Sequence, residues 1–122
     1  MSEPTRDLVQ RTFEFALAVR RSVNRLPKSV SNFENARQLV RSSGSVAANY
    51  LEAQEGLSRR DFLYRIKVCR KEARETNLWL RLTETGTDEL LSKAQTDLSP
   101  EATELTKIFS RFAAKDDTGE KQ

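Results

Sequence analysis

Residues 58–82 read SRRDFLYRIKVCRKEARETNLWLRL, and the arrangement of the whole chain can be built from them. Phe62, Ile66, Cys69, Ala73, Thr76 and Leu80 recur there at spacings of four, three, four, three and four. A helix of 3.6 residues per turn puts such a series on one side, as an inner seam. Leu63 and Trp79 flank that seam. Ser58 followed by Asp61 has the form of a capping box with Asp in the Glu position, so it opens the helix. Gly86 is expected to stop it.

The preceding segment predicts a second helix, capped by Ser31 or Asn32 and running to about Glu55 before Gly56. Its expected core stripe is Phe33, Ala36, Val40, Ser43, Ala47, Tyr50 or Leu51, and Gln54. Ser42 to Ala48 is nearly all small residues. Gly44 inside a helix costs about 1 kcal/mol relative to alanine, so another helix backbone is expected close by, within the subunit or across an interface. A first helix is expected from Asp7 to Leu26, with Leu8, Thr12, Phe15, Val19, Ser22 and Leu26 as its stripe. Val9, Phe13 and Ala16 widen the stripe, while Arg11, Glu14, Arg21 and Arg25 fall on the other side. Pro27 disfavours helical geometry just before it and ends the segment.

Beyond Gly86, Thr87 or Asp88 is expected to cap a short piece through Ala94. Ser99-Pro100-Glu101 then has the form of a fresh helix start. Leu98, Ala102, Leu105, Phe109 and Phe112 make the seam of that last helix, and polar residues 115–122 are expected to be a disordered tail. Short links between long amphipathic helices make neighbours antiparallel. The expected fold is therefore all-α, an up-down four-helix bundle in one domain over residues 1–114.

Composition narrows the chemistry. At 122 residues there is room for one domain with a sizeable core. The single cysteine, Cys69, makes no internal disulfide, which reads as intracellular. No apolar run approaches a membrane span, and Met1-Ser2-Glu3-Pro4 lacks a signal-peptide layout, so a cytoplasmic location is expected. The chain has no histidine. That removes the commonest general base, the Ser-His and Cys-His pairs, and the Glu-x-x-His ligand pattern of di-iron bundles. The glycines at 44, 56, 86 and 119 are isolated, so no phosphate loop or dinucleotide fingerprint is present. Glu52, Glu72 and Glu75 remain as carboxylates that can face inward, and Cys69 reads as a small core hydrophobe. No enzyme activity, catalytic residue, cofactor or metal is expected.

The charge is uneven. Residues 1–82 carry sixteen Lys/Arg against nine Asp/Glu, whereas residues 83–122 carry five against nine. This suits a polyanion-binding surface, and equally an oligomer whose subunits meet through opposite charges. In the central helix, Arg60, Tyr64, Lys67, Lys71, Arg74 and Leu78 each lie two positions, or about 200°, from a seam residue, and Arg81 continues their spacing. They line the opposite face, and phosphate backbones bind such a ridge through charge. Arg60, Lys67, Lys71, Arg74 and Arg81 are the candidate contacts for RNA or DNA. An acidic protein partner and a merely solvated face are the alternatives. Arg20, Arg21, Arg25 and Lys28 form a second basic cluster.

Arg41-Ser42-Ser43-Gly44-Ser45-Val46-Ala47-Ala48-Asn49-Tyr50-Leu51-Glu52-Ala53 resembles the Arg-x-x-x-Ser-Ile-Pro-x-Asn-Ile-Ala-Glu-Gly run of the bacterial four-helix bundle family, the 23S ribosomal RNA intervening-sequence proteins. Leu26-Pro27-Lys28, Ser58 with Asp61-Phe62, and Arg70 and Glu75 look like further landmarks of that family. The resemblance covers roughly residues 7 to 112 and implies an up-down bundle assembled as a homopentamer. Related retroelement accessory proteins work with a reverse transcriptase and its RNA, so the resemblance implies partners of that kind; a protein-interaction scaffold without nucleic-acid binding is the main alternative. Ala47 and Ala53 stand where many members have proline and glycine, which implies a straighter and longer second helix here. Asn49 and Glu52, also shared, suggest a local polar network with Arg41 or Arg70.

Overall fold

The computed structural model describes residues 4–120, with side chains over 8–115. Four helices follow one another: α1 (Pro4–Val23), α2 (Val30–Glu55), α3 (Arg59–Leu82) and α4 (Glu89–Glu120). Each packs on its neighbour in sequence, and α4 returns against α1. Direction can be read from paired residues. Arg41 meets Glu72 while Asn49 meets Arg65, so α3 runs back along α2. Among the described residues there is no strand.

Local chemistry sets the ends. Ser29, rather than Ser31 or Asn32, caps α2, its Oγ accepting from the Asn32 amide at 3.1 Å. Ser58 caps α3 as expected, accepting from the Asp61 amide at 3.0 Å. Asp88 caps α4 by accepting from the Leu91 amide at 3.0 Å. The first helix stops at Val23, short of Leu26, because the Arg25 and Leu26 amides turn back to the carbonyls of Ser22 and Val23. The third stops at Leu82, short of Gly86, with the Thr83 hydroxyl closing on the Leu80 carbonyl at 2.7 Å. Gly56 takes φ +60° as the C-cap of α2, a conformation that favours glycine.

The seam predicted for α3 is correct: Ile66, Cys69, Ala73, Thr76 and Leu80 are buried, and Phe62 packs against them. The stripe predicted for α2 holds at Ser43 and Tyr50 and is displaced elsewhere. The buried residues are Asn32, Asn35, Leu39, Ser42, Ser43, Val46, Tyr50 and Ala53, whereas Phe33 is 60% and Leu51 54% exposed. Polar groups take the core face because each finds a partner there. Asn32 donates to the carbonyls of Pro27 and Glu84 and accepts from the Glu84 amide, tying the link before α2 to the link after α3. Asn35 donates to the Leu82 carbonyl, Ser42 shares a hydrogen bond with Thr76, and Ser43 donates to the Leu39 carbonyl. A satisfied polar group costs little to bury, so hydrophobicity alone picks the wrong face. In α1 the stripe holds through Leu8, Thr12, Phe15, Ala16 and Val19, but Phe13 points outward at 55% exposure.

The fourth segment is one helix, and Pro100 lies inside it rather than starting a new one. Leu91, Leu98, Ala102, Leu105, Phe109 and Ala113 are all buried, so the apolar face continues in phase across the proline. Full burial of each large member is worth roughly 1.5–3 kcal/mol, enough together to offset the lost backbone bond. The second helix is continuous through Ser42–Ala48, as expected. The group nearest Gly44 is a side chain rather than a helix backbone: a Cβ there would meet the Arg20 guanidinium at 3.1 Å. Of the tail read as disordered, the backbone to Glu120 continues α4, and the rest lies outside the described residues.

Candidate nucleic-acid interface

All seven residues of the predicted ridge, Arg60, Tyr64, Lys67, Lys71, Arg74, Leu78 and Arg81, are exposed. At 1.5 Å per residue the line from Arg60 to Arg81 is about 30 Å long, and Lys67 to Arg74 is about 10 Å. Tyr64 presents its ring to solvent, with the Arg65 guanidinium 5.6 Å from its centroid. A groove of about 570 Å³ opens along the middle of this face, lined by Lys67, Arg70, Lys71, Arg74, Glu75 and Leu78.

The five candidate cations are not equivalent. Lys71 Nζ lies 3.4 Å from Glu75 and 3.8 Å from Glu72, so its charge is partly answered within the chain. Glu72 is a buried carboxylate held by Arg41 through two bonds, at 3.0 and 3.3 Å. Arg41 also reaches Glu75 at 3.3 Å, and the hydrogen bonds it donates to Glu72 raise the guanidinium pKa. This network joins α2 to α3 and leaves Arg60, Lys67, Arg74 and Arg81 as the more available charges. Arg70, half-buried at the groove, adds a sixth cation that the ridge spacing omits.

Other sequence candidates resolve as structural groups. Asn49 donates to the Ser45 carbonyl and accepts from Arg65 at 2.9 Å, so its partners are not Arg41 or Arg70, and Glu52 is exposed. Cys69 is buried, its thiol directed at the Val46 carbonyl, and burial pushes its pKa up to about 12. A thiol so held is a poor nucleophile at neutral pH. In the second basic cluster, Arg25 forms a two-pronged pair with Asp88 at 2.8 and 3.0 Å. The Leu91 amide first, and then Arg25, hold the Asp88 carboxyl below its usual range. Among the described residues no group of His, Cys, Asp and Glu is placed to hold a metal ion, and no helix is long and apolar enough to cross a membrane.

One cation joins this surface only through tertiary structure. Lys107, on α4, shares a cleft of about 230 Å³ with Arg74, Asn77, Thr103 and Thr106. Nothing in the spacing of α4 marks it, because its partners come from another helix.

The chain is thus an antiparallel bundle of four helices with a cationic outer face on α3. Residues 5–111 match the family described as 23S rRNA-intervening sequence protein, and the chain belongs to that family. Its fold is similar to the crystal structure of a protein of unknown function from the S23 ribosomal protein family of Bacteroides thetaiotaomicron, with a TM-score of 0.74 and 28% identity. That likeness covers 90% of this chain and 97% of the other. No curated protein matches it.

Proposed function

We propose that this is a non-enzymatic, homo-oligomeric cytoplasmic protein that binds nucleic acid, RNA foremost, through the outer face of α3. The observation that carries this reading is the exposed line of Arg60, Lys67, Lys71, Arg74 and Arg81, about 30 Å long, in which Glu75 lies beside Lys71. Charge on a straight helix contacts phosphates without reading bases, so binding is expected with little sequence preference. Four or five neutralised phosphates give a log–log salt slope of about −3 to −4 per subunit. Anisotropy of a labelled RNA measured across salt concentrations tests this. Arg60→Glu with Lys67→Glu should abolish binding while helical content stays the same. A wild-type protein that shows no salt-sensitive binding to RNA or DNA at low ionic strength leaves the protein-interaction scaffold as the better reading.

Self-assembly is supported by a different face. Val9, Gln10, Phe13, Ala47 and Leu51 line an apolar groove of about 300 Å³ between α1 and α2, with Phe13 and Leu51 more than half exposed. Two large apolar side chains exposed on either side of such a groove are what a second copy could cover. A homopentamer is the assembly we propose, and Phe13→Glu with Leu51→Glu should break it. Light scattering that returned a monomer mass for the wild type at micromolar concentration would rule the assembly out. A reverse transcriptase or another protein partner would be sought by co-purification with wild type and with the ridge variant.

A further inference from the structure

We infer that the nucleic-acid path does not stay on α3 but turns at Arg74 into the cleft between α3 and α4, where Arg74, Asn77 and Lys107 hold a backbone phosphate of a single strand. This rests on the reading of α3 as a nucleic-acid face.

Arg74 is the pivot because it lines both depressions, the groove along α3 and the cleft against α4. In the cleft, Lys107 brings a second positive charge from a different helix. Asn77 supplies a neutral donor. Its Oδ1 accepts from the Ser99 hydroxyl, which leaves the Nδ2 hydrogens without an acceptor among the described residues. Thr103 and Thr106 wall the space, their hydroxyls donating to the carbonyls of Ser99 and Ala102. About 230 Å³ is several times the roughly 30 Å³ share of a liquid water, so a tetrahedral anion has room. Two cations and an amide converging from two helices suit a phosphate, which accepts several charge-assisted bonds at once.

The acids nearby set the competition. Glu104 lies 3.7 Å from Lys107, a long and exposed contact, weak enough for a phosphate to displace. Glu75 lines the groove beside Arg74 but is already engaged by Arg41 and Lys71. Glu104 is therefore the internal competitor for Lys107, and neutralising it should favour the ligand.

The test measures oligouridine affinity across salt concentrations for wild type, Lys107→Ala, Lys107→Arg and Glu104→Gln, with Arg60→Glu/Lys67→Glu as the ridge control. Lys107→Ala should weaken binding about five-fold and flatten the log–log slope by about 0.7, one single-strand phosphate contact. Lys107→Arg should keep the slope, and Glu104→Gln should tighten binding. In parallel, tripolyphosphate should shift the Asn77 side-chain amide resonances of wild type and not of Lys107→Ala. The inference is overturned if the ridge control loses RNA while Lys107→Ala and Glu104→Gln leave affinity and slope unchanged. In that case a tripolyphosphate shift at Asn77 would mark a free-anion site only, off the RNA path. Absence of any RNA binding by the wild type would instead remove the function proposed for α3, and this extension with it.

Discussion

Leu39→Ala and Val40→Ala, made separately, distinguish the two possible faces of α2. Leu39 is 2% exposed, while its neighbour Val40 is only half-buried on the outer side. Truncating a fully buried leucine removes its transfer free energy and leaves a cavity, together about 2–5 kcal/mol. Val40→Ala removes fewer atoms from a site still partly wet, and should cost under about 1 kcal/mol. For a domain of this size 1 kcal/mol moves the melting temperature by about 4 °C, so the expected shifts are about 8–20 °C against less than about 4 °C. Calorimetry or thermal circular dichroism reads this directly. It should be repeated over a range of protein concentrations, because a face covered by self-assembly would make the Val40 effect grow with concentration. A large, concentration-independent loss for Val40→Ala with a negligible one for Leu39→Ala would refute the packing of α2.

Arg41→Ala should destabilise by about 1–3 kcal/mol, since the buried Glu72 carboxylate loses its two-pronged partner, and the double variant Arg41→Ala/Glu72→Met should recover much of the loss in urea unfolding. Pro100→Ala restores a backbone donor inside a continuous helix and should stabilise by up to about 3 kcal/mol; a lower melting temperature would show that α4 is interrupted there. Cys69 should resist thiol reagents in the folded protein and react on unfolding. Its thiol pKa, raised to about 12 by burial, favours the folded state fully below the unfolded value of about 8.5, and that contribution is lost as pH climbs toward and through about 12. Alkaline destabilisation in that window should therefore shrink in Cys69→Ala.

Much of the candidate site was legible because its residues sit on one helix. A repeat of seven fixes both faces of α3 at once: burial of Ile66 and Leu80 forces Lys67, Arg74 and Arg81 outward. What the spacing could not show is which charges are already answered. Lys71 looks equal to Lys67 in the sequence, yet Glu72 and Glu75 lie beside it once the side chains are placed.

From sequence alone followed the four-helix arrangement, the inner seam of α3, the Ser58 cap and the exposed basic line, all set by contacts within a turn or two of the chain. Tertiary structure alone decided which side of α2 is buried and that α4 runs through Pro100. It also decided that Lys107 stands beside Arg74. Each of these depends on a partner distant in sequence: the Glu84 and Leu82 carbonyls that accept Asn32 and Asn35, the core that holds Leu91 and Leu98 in phase, and the neighbouring helix across a cleft. Periodicity reports how apolar a face is, whereas burial is settled by whether the groups on that face find partners, and those partners are brought by the fold.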